Sequence, residues 1–159
     1  MKGLLLIVAV LFFSGLSQAC CPPYWSQFQG TRCYRYVGLS MTWFQAHEYC
    51  YNLRPGKSFL VTINKEEEAV HVHKIFEENG AHKHSYYWIG LRDFHKNQRR
   101  FEWDDGTPFT ESSYSFWNPG EPNNYSDLDC VQVYRSNRRW YDYSCTAVRR
   151  PFICEMRRD

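Results

Sequence analysis

The sequence predicts an α+β domain in which two helices pack on small antiparallel sheets beside a long irregular loop. Three observations lead to this prediction. The first half contains two segments with apolar residues at helical intervals, whereas the second half is a series of short segments rich in Val, Tyr, Phe and Trp. Residues 109–129 lack a regular pattern, although they are aromatic and not of low complexity. Seven cysteines indicate covalent cross-links.

The chain begins with a predicted secretory signal peptide, residues 1–19. Lys2 supplies the positive charge, residues 4–13 form the apolar run, and residues 17–19 (Ser-Gln-Ala) offer small side chains for cleavage. The apolar run is too short to span a membrane, and no later segment is apolar for long enough. Residues 20–159 are then expected to form one secreted, extracellular domain with no membrane insertion.

Two helices are predicted in the first half of the domain. Thr42 and Gln45 stand at the spacing of a capping box, and apolar residues follow at helical intervals up to Leu53. Asn64 is the predicted N-cap of the second helix. The first turn of that helix carries three glutamates, and the helix is expected to end at residues 79–80 (Asn-Gly).

Strands are predicted on both sides of these helices. Tyr24, Trp25 and Phe28 are candidates for the buried face of a first strand. The other predicted strands are residues 59–63, 86–91, 101–103, 130–134, 139–142 and 151–155.

The cysteine count is odd. In an oxidising compartment an even subset pairs, and the remaining cysteine is either free or joins two chains. Cys21 and Cys33 are candidates to close a hairpin, and Cys145 is placed to bridge to Cys130. Because no C-x-x-C pair occurs, structural zinc and thioredoxin-like redox chemistry are not expected.

The charge balance argues against polyanionic and mineral partners. The formal net charge is +2, or about +1 once Lys2 is removed with the signal peptide. Arginine pairs at residues 99–100, 138–139, 149–150 and 157–158 are either a patch for sulfated glycans or nucleic acid or, as scattered pairs more often are, a solvated face. We expect no nucleic-acid partner.

The candidate functional site lies in residues 116–124 (Phe-Trp-Asn-Pro-Gly-Glu-Pro-Asn-Asn). A cis bond between Glu121 and Pro122 would turn the side-chain carbonyl groups of Glu121 and Asn123 in the same direction. That is half of a calcium cage, and calcium that leaves two positions to water exchanges them for two adjacent sugar hydroxyls. The alternative is an ordinary surface loop, since residues 118–124 are all turn formers.

Six motifs occur in one order along the chain: residues 88–91 (Trp-Ile-Gly-Leu), 101–106 (Phe-Glu-Trp-Asp-Asp-Gly), 121–123 (Glu-Pro-Asn), 129–130 (Asp-Cys), 140–142 (Trp-Tyr-Asp) and 152–155 (Phe-Ile-Cys-Glu). In this order they resemble the C-type lectin domain across essentially the whole mature chain, and the order is highly specific for that fold. The opening residues 20–22 (Cys-Cys-Pro) also resemble the small secreted invertebrate lectins of the echinoidin type.

The resemblance implies the C-type lectin fold with three disulfide bonds. Cys20 is then left over as the candidate for a disulfide-linked homodimer. The implied pairs are Cys21 with Cys33, Cys50 with Cys154, and Cys130 with Cys145.

The resemblance also implies calcium-dependent binding of terminal mannose-type glycans on glycoproteins or microbial surfaces. In this family the Glu-Pro-Asn order favours mannose-type sugars, whose 3- and 4-hydroxyls are both equatorial, over galactose. Glu121, Asn123 and Asp142 correspond to ligands of the sugar-binding Ca²⁺. The same side chains would hydrogen-bond the sugar.

Two usual ligand positions are replaced in this chain. Leu128 stands where a carboxylate is usual two residues before the cysteine, and Tyr141 stands where an asparagine is usual. The segment of residues 121–130 is also one residue shorter than in typical members. Asp127 and Asp129 are therefore candidate replacement ligands for the metal.

The second calcium site of the family is expected to be empty here. Asp93 matches one ligand position, but Asn97 and Asn124 stand where carboxylates are usual. Asn124 also begins an N-glycosylation sequon, residues 124–126 (Asn-Tyr-Ser), inside the binding loop. A glycan at Asn124 would crowd the sugar site.

Three aromatic residues, Trp117, Tyr125 and Tyr141, are candidates for stacking on the apolar face of a sugar ring, with Tyr141 closest to the predicted ligands. The alternative is structural, because 18% of the chain is aromatic and most such side chains belong to cores or loops.

Two other functions are weighed against the lectin prediction. A calcium-independent matrix, mineral-associated or venom-type interaction protein on the same fold is favoured by Leu128 and Tyr141, but disfavoured by the three retained ligands. An enzyme is not expected, because the acidic residues are better explained as calcium ligands and no nucleophile is paired with a base.

Overall fold

The computed structural model describes residues 21–80, 82–95, 100–124 and 129–158. This part of the chain contains two helices and eight strands. The helices are α1 (Trp43–Leu53) and α2 (Glu66–Asn79). The strands are β1 (Ser26–Phe28), β2 (Arg32–Met41), β3 (Ser58–Leu60), β4 (Tyr86–Asp93), β5 (Glu102–Trp103), β6 (Asp129–Tyr134), β7 (Trp140–Ser144) and β8 (Arg150–Arg157).

The strands are connected in one sheet of order β1-β2-β8-β4-β6-β7, with β3 paired to β8 and β5 paired to β4. All strand pairs are antiparallel except β4 with β8, where Trp88 lies beside Phe152 in a parallel pair. This parallel pair connects the strands near the chain ends to the β-rich second half. The predicted α+β class is confirmed, and the small sheets are joined through β4 and β8.

Helix α1 begins as predicted. Thr42 Oγ1 accepts the backbone N–H of Gln45 at 3.4 Å, and Gln45 Oε1 accepts the backbone N–H of Thr42 at 3.2 Å. Both halves of the capping box are therefore formed. The buried face of α1 includes Cys50, which is bonded to Cys154 of β8 and so fixes the helix to the sheet.

Helix α2 does not have the predicted cap. The N-cap position is Lys65 and not Asn64, and no side chain caps the helix there. Glu68 in the first turn instead accepts the backbone N–H of Asn64 at 2.7 Å. Glu68 is buried and lies 3.3 Å from the Arg32 guanidinium of β2, so a tertiary ion pair sets the position of the carboxylate that orders this turn.

Two strand predictions need correction. Tyr24 is 91% exposed and does not belong to a buried face, whereas Phe28 packs against the core. Strand β3 ends at Leu60 and does not continue to residue 63. Beyond it, Val61 makes separate backbone hydrogen bonds to Ile153 O at 2.9 Å and from the Gly90 N–H at 2.8 Å, which hold the chain extended without a strand ladder.

The core consists of two aromatic-rich clusters. One packs against α2 and contains Trp103 and Trp140, whose ring centroids are 5.8 Å apart at an interplanar angle of 87°. The other packs against α1 and contains Trp43, Trp88 and the Cys130 to Cys145 disulfide. Fully buried tryptophans thus anchor the elements on which the candidate site stands.

The three disulfide bonds implied by the resemblance are confirmed. Cys20 and the predicted signal peptide lie outside the described residues. Among the residues described, no helix combines the length and the apolar character needed to cross a bilayer. The bonded pairs are Cys21 with Cys33, Cys50 with Cys154, and Cys130 with Cys145.

Candidate functional site

The loop that carries the predicted site is attached to strand β7 at Trp140. Phe116 O accepts the backbone N–H of Trp140 at 2.8 Å, and the Asn118 N–H donates to Trp140 O at 3.0 Å. Trp117 packs on the Trp140 ring with centroids 5.6 Å apart. The irregular region is therefore held by protein contacts immediately before it reaches Glu121.

The peptide bond between Glu121 and Pro122 is cis, as predicted. It follows a turn in which the backbone N–H of Glu121 donates to Asn118 O at 2.9 Å. Glu121 and Asn123, on the two sides of Pro122, line the same surface cleft. The two oxygen-bearing side chains that the sequence assigned to half of a calcium cage therefore face a common space.

Asp142 of β7 meets this loop from the sheet. It is 4% exposed, and its Oδ1 accepts the backbone N–H of Asn123 at 2.9 Å. Its Oδ2 accepts the backbone N–H of Asn124 at 2.7 Å. The carboxylate thus fixes the loop backbone beside Glu121, and Asp142 lines the cleft with Glu121 and Asn123.

Glu121 is electrostatically unusual. Burial, followed by a hydrogen bond to Asp142 and its charge, raises the pKa of Glu121 to about 7, while hydrogen bonds from Asn123 act in the opposite direction. Glu121 Oε2 is buried and accepts no hydrogen bond from the described part of the chain. A cation would relieve two carboxyl groups held this close, and carboxylate and amide oxygens are the ligands that calcium prefers. The donor set therefore fits Ca²⁺.

Few of the candidate calcium ligands carry a negative charge. No group of three His, Cys, Asp or Glu side chains arranged to hold a metal occurs within residues 21–80, 82–95, 100–124 and 129–158. Glu121 and Asp142 are the two acidic members, and the side chain of Asn123 adds a neutral amide oxygen. A cation held here would take its remaining ligands from neutral oxygens and water.

The candidate replacement ligands lie elsewhere or outside the described residues. Asp129 is 3% exposed at the start of β6, in register with Asp93 of β4 and Ser144 of β7. It is not among the residues that line the cleft. Asp127 and Leu128 fall in residues 125–128, outside the described part.

Asp93, the matching residue of the predicted second calcium site, supports the loop that follows β4. Its Oδ1 accepts the backbone N–H of His95 at 2.8 Å, and its Oδ2 accepts the backbone N–H of Arg100 at 3.2 Å. Both oxygens therefore have a structural use within the chain. Asn97 lies outside the described residues.

The aromatic candidates occupy different environments. Tyr141 lines the cleft, whereas Trp117 packs between Phe101 and Trp140 in the core cluster. Tyr125 is outside the described residues, as is the rest of the sequon after Asn124. Trp117 is therefore structural, and Tyr141 is the described aromatic candidate placed to meet a ligand.

The cleft has a volume of 560 Å³ and includes residues that the sequence did not single out. They come from three strands, since Tyr86 is on β4, Gln132 on β6 and Tyr143 on β7. For Tyr143, the sequence did contain a signal. Tyr141 and Tyr143 are two residues apart on a predicted strand, so their side chains share a face of β7. Among the described residues, Ser144 and Ala147 complete the lining of the cleft.

Comparison with known proteins gives the same family. Residues 39–156 match the family model described as the lectin C-type domain. Echinoidin of Heliocidaris crassispina is 31% identical over 147 residues, which cover 86% of this chain and 97% of echinoidin.

Solved structures give the same fold with different properties. The cow C-type carbohydrate-recognition domain of CD23, solved in the presence of a GlcNAc2Man3 oligosaccharide, is 30% identical with a TM-score of 0.72, and 88% of this chain and 98% of that chain are covered. A calcium-independent type II antifreeze protein is 29% identical with a TM-score of 0.71, and 87% of this chain and 95% of that chain are covered.

The family match covers most of the chain, and echinoidin is similar over nearly its whole length. The two helices and the strands predicted from residue patterns are present, and so are the three disulfide bonds that the resemblance implies. The chain belongs to the C-type lectin domain family, a family of carbohydrate-binding proteins that are not enzymes.

Proposed function

We propose that this protein is a secreted, calcium-dependent lectin that binds terminal mannose-type sugars on glycoproteins or microbial surfaces. The observation that carries the proposal is that Glu121, Asn123 and Asp142 line one cleft, with the Asp142 carboxylate bound to the backbone N–H of Asn123 at 2.9 Å. This arrangement combines charge, a neutral amide oxygen from Asn123 and an open cleft. It is what a site for an ion and a polar ligand requires.

Glu121, Asn123 and Asp142 would hold the ion. Calcium, when bound, supplies coordination positions that two adjacent sugar hydroxyls occupy in place of water. The chain supplies the rest: the Glu121 carboxylate accepts a hydrogen bond from one hydroxyl, and the Asn123 amide N–H donates to the other. Asp142 keeps this part of the loop in place, because its carboxylate accepts the backbone N–H groups of Asn123 and Asn124.

The preference for mannose follows from the order of the two side chains. Glu-Pro-Asn is the order that favours equatorial 3- and 4-hydroxyls in this family, and this chain has it at residues 121–123. The similar cow CD23 domain was solved in the presence of a mannose-containing oligosaccharide, which supports the same class of ligand. Tyr141 in the cleft wall would pack on the sugar ring.

Mannose-agarose tests the proposal. We expect the protein to bind in calcium, to elute with a chelator and to remain bound in galactose. Glu121→Gln combined with Asn123→Asp should move the preference toward galactose, because the donor and acceptor positions are exchanged. Glu111→Gln, which neutralises an exposed glutamate earlier in the same loop region, is the matched control and should behave as the wild type.

A second candidate function is calcium-independent interaction on the same scaffold, as in a matrix, mineral-associated or venom protein. It is favoured by one observation: both oxygens of Asp142 accept backbone N–H groups of the loop and so have a structural use within the chain. The similar antifreeze protein is calcium-independent. Ligand retention that is unchanged by a chelator would select this function over the first.

The roles predicted for four further residues also remain proposals. They concern the same site and the assembly of the protein, and the residues are Asp127, Asp129, Asn124 and Cys20. We propose Asp127 and Asp129 as supplementary carboxylates in the calcium-loaded loop, and Asn124 as a glycan acceptor. Mass measurement before and after enzymatic removal of N-glycans tests the acceptor, and an Asn124→Gln variant with the same mass loss as the wild type would rule it out. Cys20 is proposed as the interchain cysteine.

A further inference from the structure

The cleft continues well beyond the proposed calcium ligands. Its volume of 560 Å³ lies in the range of whole ligand sites, about 300–1,000 Å³. Asp142 is on β7 beside Glu121, whereas Gln132 is on β6 and Tyr86 is on β4, two strands away from β7 in the sheet. A single sugar bound through the ion would therefore leave the Tyr86 part of the cleft available to the next residue of a glycan.

Arg150 of β8 supports this second part of the wall. Its Nε–H donates to Gln132 Oε1 at 3.0 Å, and its guanidinium lies over the Tyr86 ring, 5.1 Å from the centroid. These contacts fix the side chain and use one of the five N–H donors of an arginine. Among the described residues no carboxylate pairs with Arg150, so its charge is not compensated within this part of the chain.

Other positive charge lies beside Arg150. Lys83 is exposed just before β4 begins at Tyr86. Burial, and then the charges of Lys83, His82 and Arg150, lower the pKa of His84 and so favour its neutral ring, and no carboxylate contributes to that shift. The described surroundings of the Tyr86 end are therefore basic, whereas the other end of the same cleft holds Glu121 and Asp142.

We propose that the Tyr86 end is a subsite for an acidic sugar residue, carrying a sulfate ester or a carboxylate, that is linked to the calcium-bound mannose. This inference rests on the proposed function of the neighbouring site. Tyr141, whose ring meets Tyr86 edge-on with centroids 6.1 Å apart, supplies apolar surface for the sugar ring. The remaining N–H donors of Arg150, which contacts the cleft residues Tyr86 and Gln132, pair with the anionic group. Arginine is suited to this task because its planar donors match both carboxylate and sulfate oxygens.

Calorimetric titration in calcium with four probes tests the inference. The probes are methyl α-mannoside, a neutral mannosyl-glucose disaccharide, the corresponding mannosyl-glucuronate and the disaccharide sulfated on its second residue. We expect the acidic disaccharides to bind about five- to tenfold more tightly than the neutral one, as one charge-assisted contact supplies. Comparison of the affinities for the mannosyl-glucuronate and for the sulfated disaccharide shows whether the subsite prefers a carboxylate or a sulfate ester.

Arg150→Gln should remove the acidic preference and leave the affinity for methyl α-mannoside unchanged. Arg149→Gln is the matched control, because its neighbouring guanidinium donates to Gln45 Oε1 of α1 at 2.8 Å and not to the cleft. Lys83→Gln, at an exposed position, should reduce the preference without a risk to folding, and thermal unfolding verifies that each variant is folded.

The outcomes separate the two proposals. Binding of methyl α-mannoside with equal affinities for neutral and acidic disaccharides overturns the inference alone. A preference that survives in Arg150→Gln also overturns it. Failure of every mannoside to bind in calcium overturns the proposed function, and the subsite with it.

Discussion

Asp142 does two things at once in this molecule. Its two oxygens accept the backbone N–H groups of Asn123 and Asn124, and its proximity is one reason for the raised pKa of Glu121. Each carboxylate oxygen has two lone-pair directions, so these hydrogen bonds leave acceptor capacity that an ion can use. The shape of the loop and its affinity for a cation are therefore linked through one side chain.

The variant Asp142→Asn should weaken calcium binding by about tenfold or more, since it removes a formal charge and turns an N–H donor toward a backbone N–H. Calcium titration by calorimetry measures the effect. Glu111→Gln removes the same charge from an exposed position and should not change the affinity. Equal losses in the two variants would mean that net charge, and not the Asp142 geometry, controls the binding.

Glu155 should make stability depend on pH. Burial raises its pKa from 4.5 to about 8, although Arg32 and the Thr62 N–H lower it. Because the folded protein retains this proton and the unfolded chain releases it, the free energy of unfolding should fall as the pH rises from about 5 to 8, by an amount on the order of 2–4 kcal/mol.

Urea unfolding at pH 5 and pH 8 tests this expectation. Glu155→Gln, which has no titrating group at this position, should lose the Glu155 part of the pH dependence, while the raised pKa of Glu121 retains a smaller fall over the same range. Arg32 lies 3.3 Å from Glu68 as well, so the half-buried guanidinium retains a carboxylate partner in that variant. A Glu155→Gln protein whose stability follows pH as the wild type does would contradict the assignment.

Residue type made part of the site predictable. Glu121, Asn123 and Asp142 belong to short motifs in which the chemistry of each position is visible in the sequence. Tyr86 and Gln132 were missed because neither stands in a motif of its own. They reach the cleft only through the pairing of β4 with β6 and of β6 with β7, which sequence separation does not reveal.

At the scale of elements, the two helices show when residues close in sequence are sufficient to predict where a helix begins. The capping box of α1 is closed by neighbours three residues apart, so Thr42 and Gln45 were sufficient to predict it. The start of α2 depends on Glu68, whose position is set by Arg32, more than thirty residues earlier in the chain. A local pattern carries no information about such a partner.

Gly90 is required where strand β4 passes behind β3. A Cβ at this position would lie 2.7 Å from Leu60 O and 3.1 Å from Val61 O, and backbone atoms cannot turn away as a side chain can. We expect Gly90→Ala to lower the free energy of unfolding by about 1–3 kcal/mol. Urea unfolding measures it.

Gly38→Ala is the control, because its added Cβ would meet only the Tyr36 side chain, at 3.2 Å. If the two variants lose similar amounts of unfolding free energy, the replacement of a glycine as such, and not the close approach of β3 to Gly90, causes the destabilisation.

At the scale of the whole molecule, the order of motifs was sufficient to predict the family, and the resemblance to that family implied the three disulfide pairs. The way that the sheet closes was not predictable, because the parallel pair of Trp88 with Phe152 joins strands 64 residues apart. The core places four fully buried tryptophans around this junction and under the site. A rigid support therefore carries the irregular loop.

Assembly is the other property that belongs to this scale. With six cysteines paired, Cys20 is expected to join two chains, and linking two weak sugar sites raises avidity without any new contact. On a non-reducing gel the wild type should give a dimer band that Cys20→Ser abolishes. A dimer band that persists in the variant, or a wild type without one, would contradict this prediction.

The most direct test of the account is a calorimetric titration of the wild-type protein with calcium. Glu121, Asn123 and Asp142 predict one saturable site per chain, with a Kd on the order of 10⁻⁴–10⁻³ M, typical of extracellular calcium modules. Added mannose should tighten it, since ion and sugar would share ligands. Absence of calcium binding at millimolar concentrations would contradict the central claim and leave a calcium-independent interaction protein on the same fold.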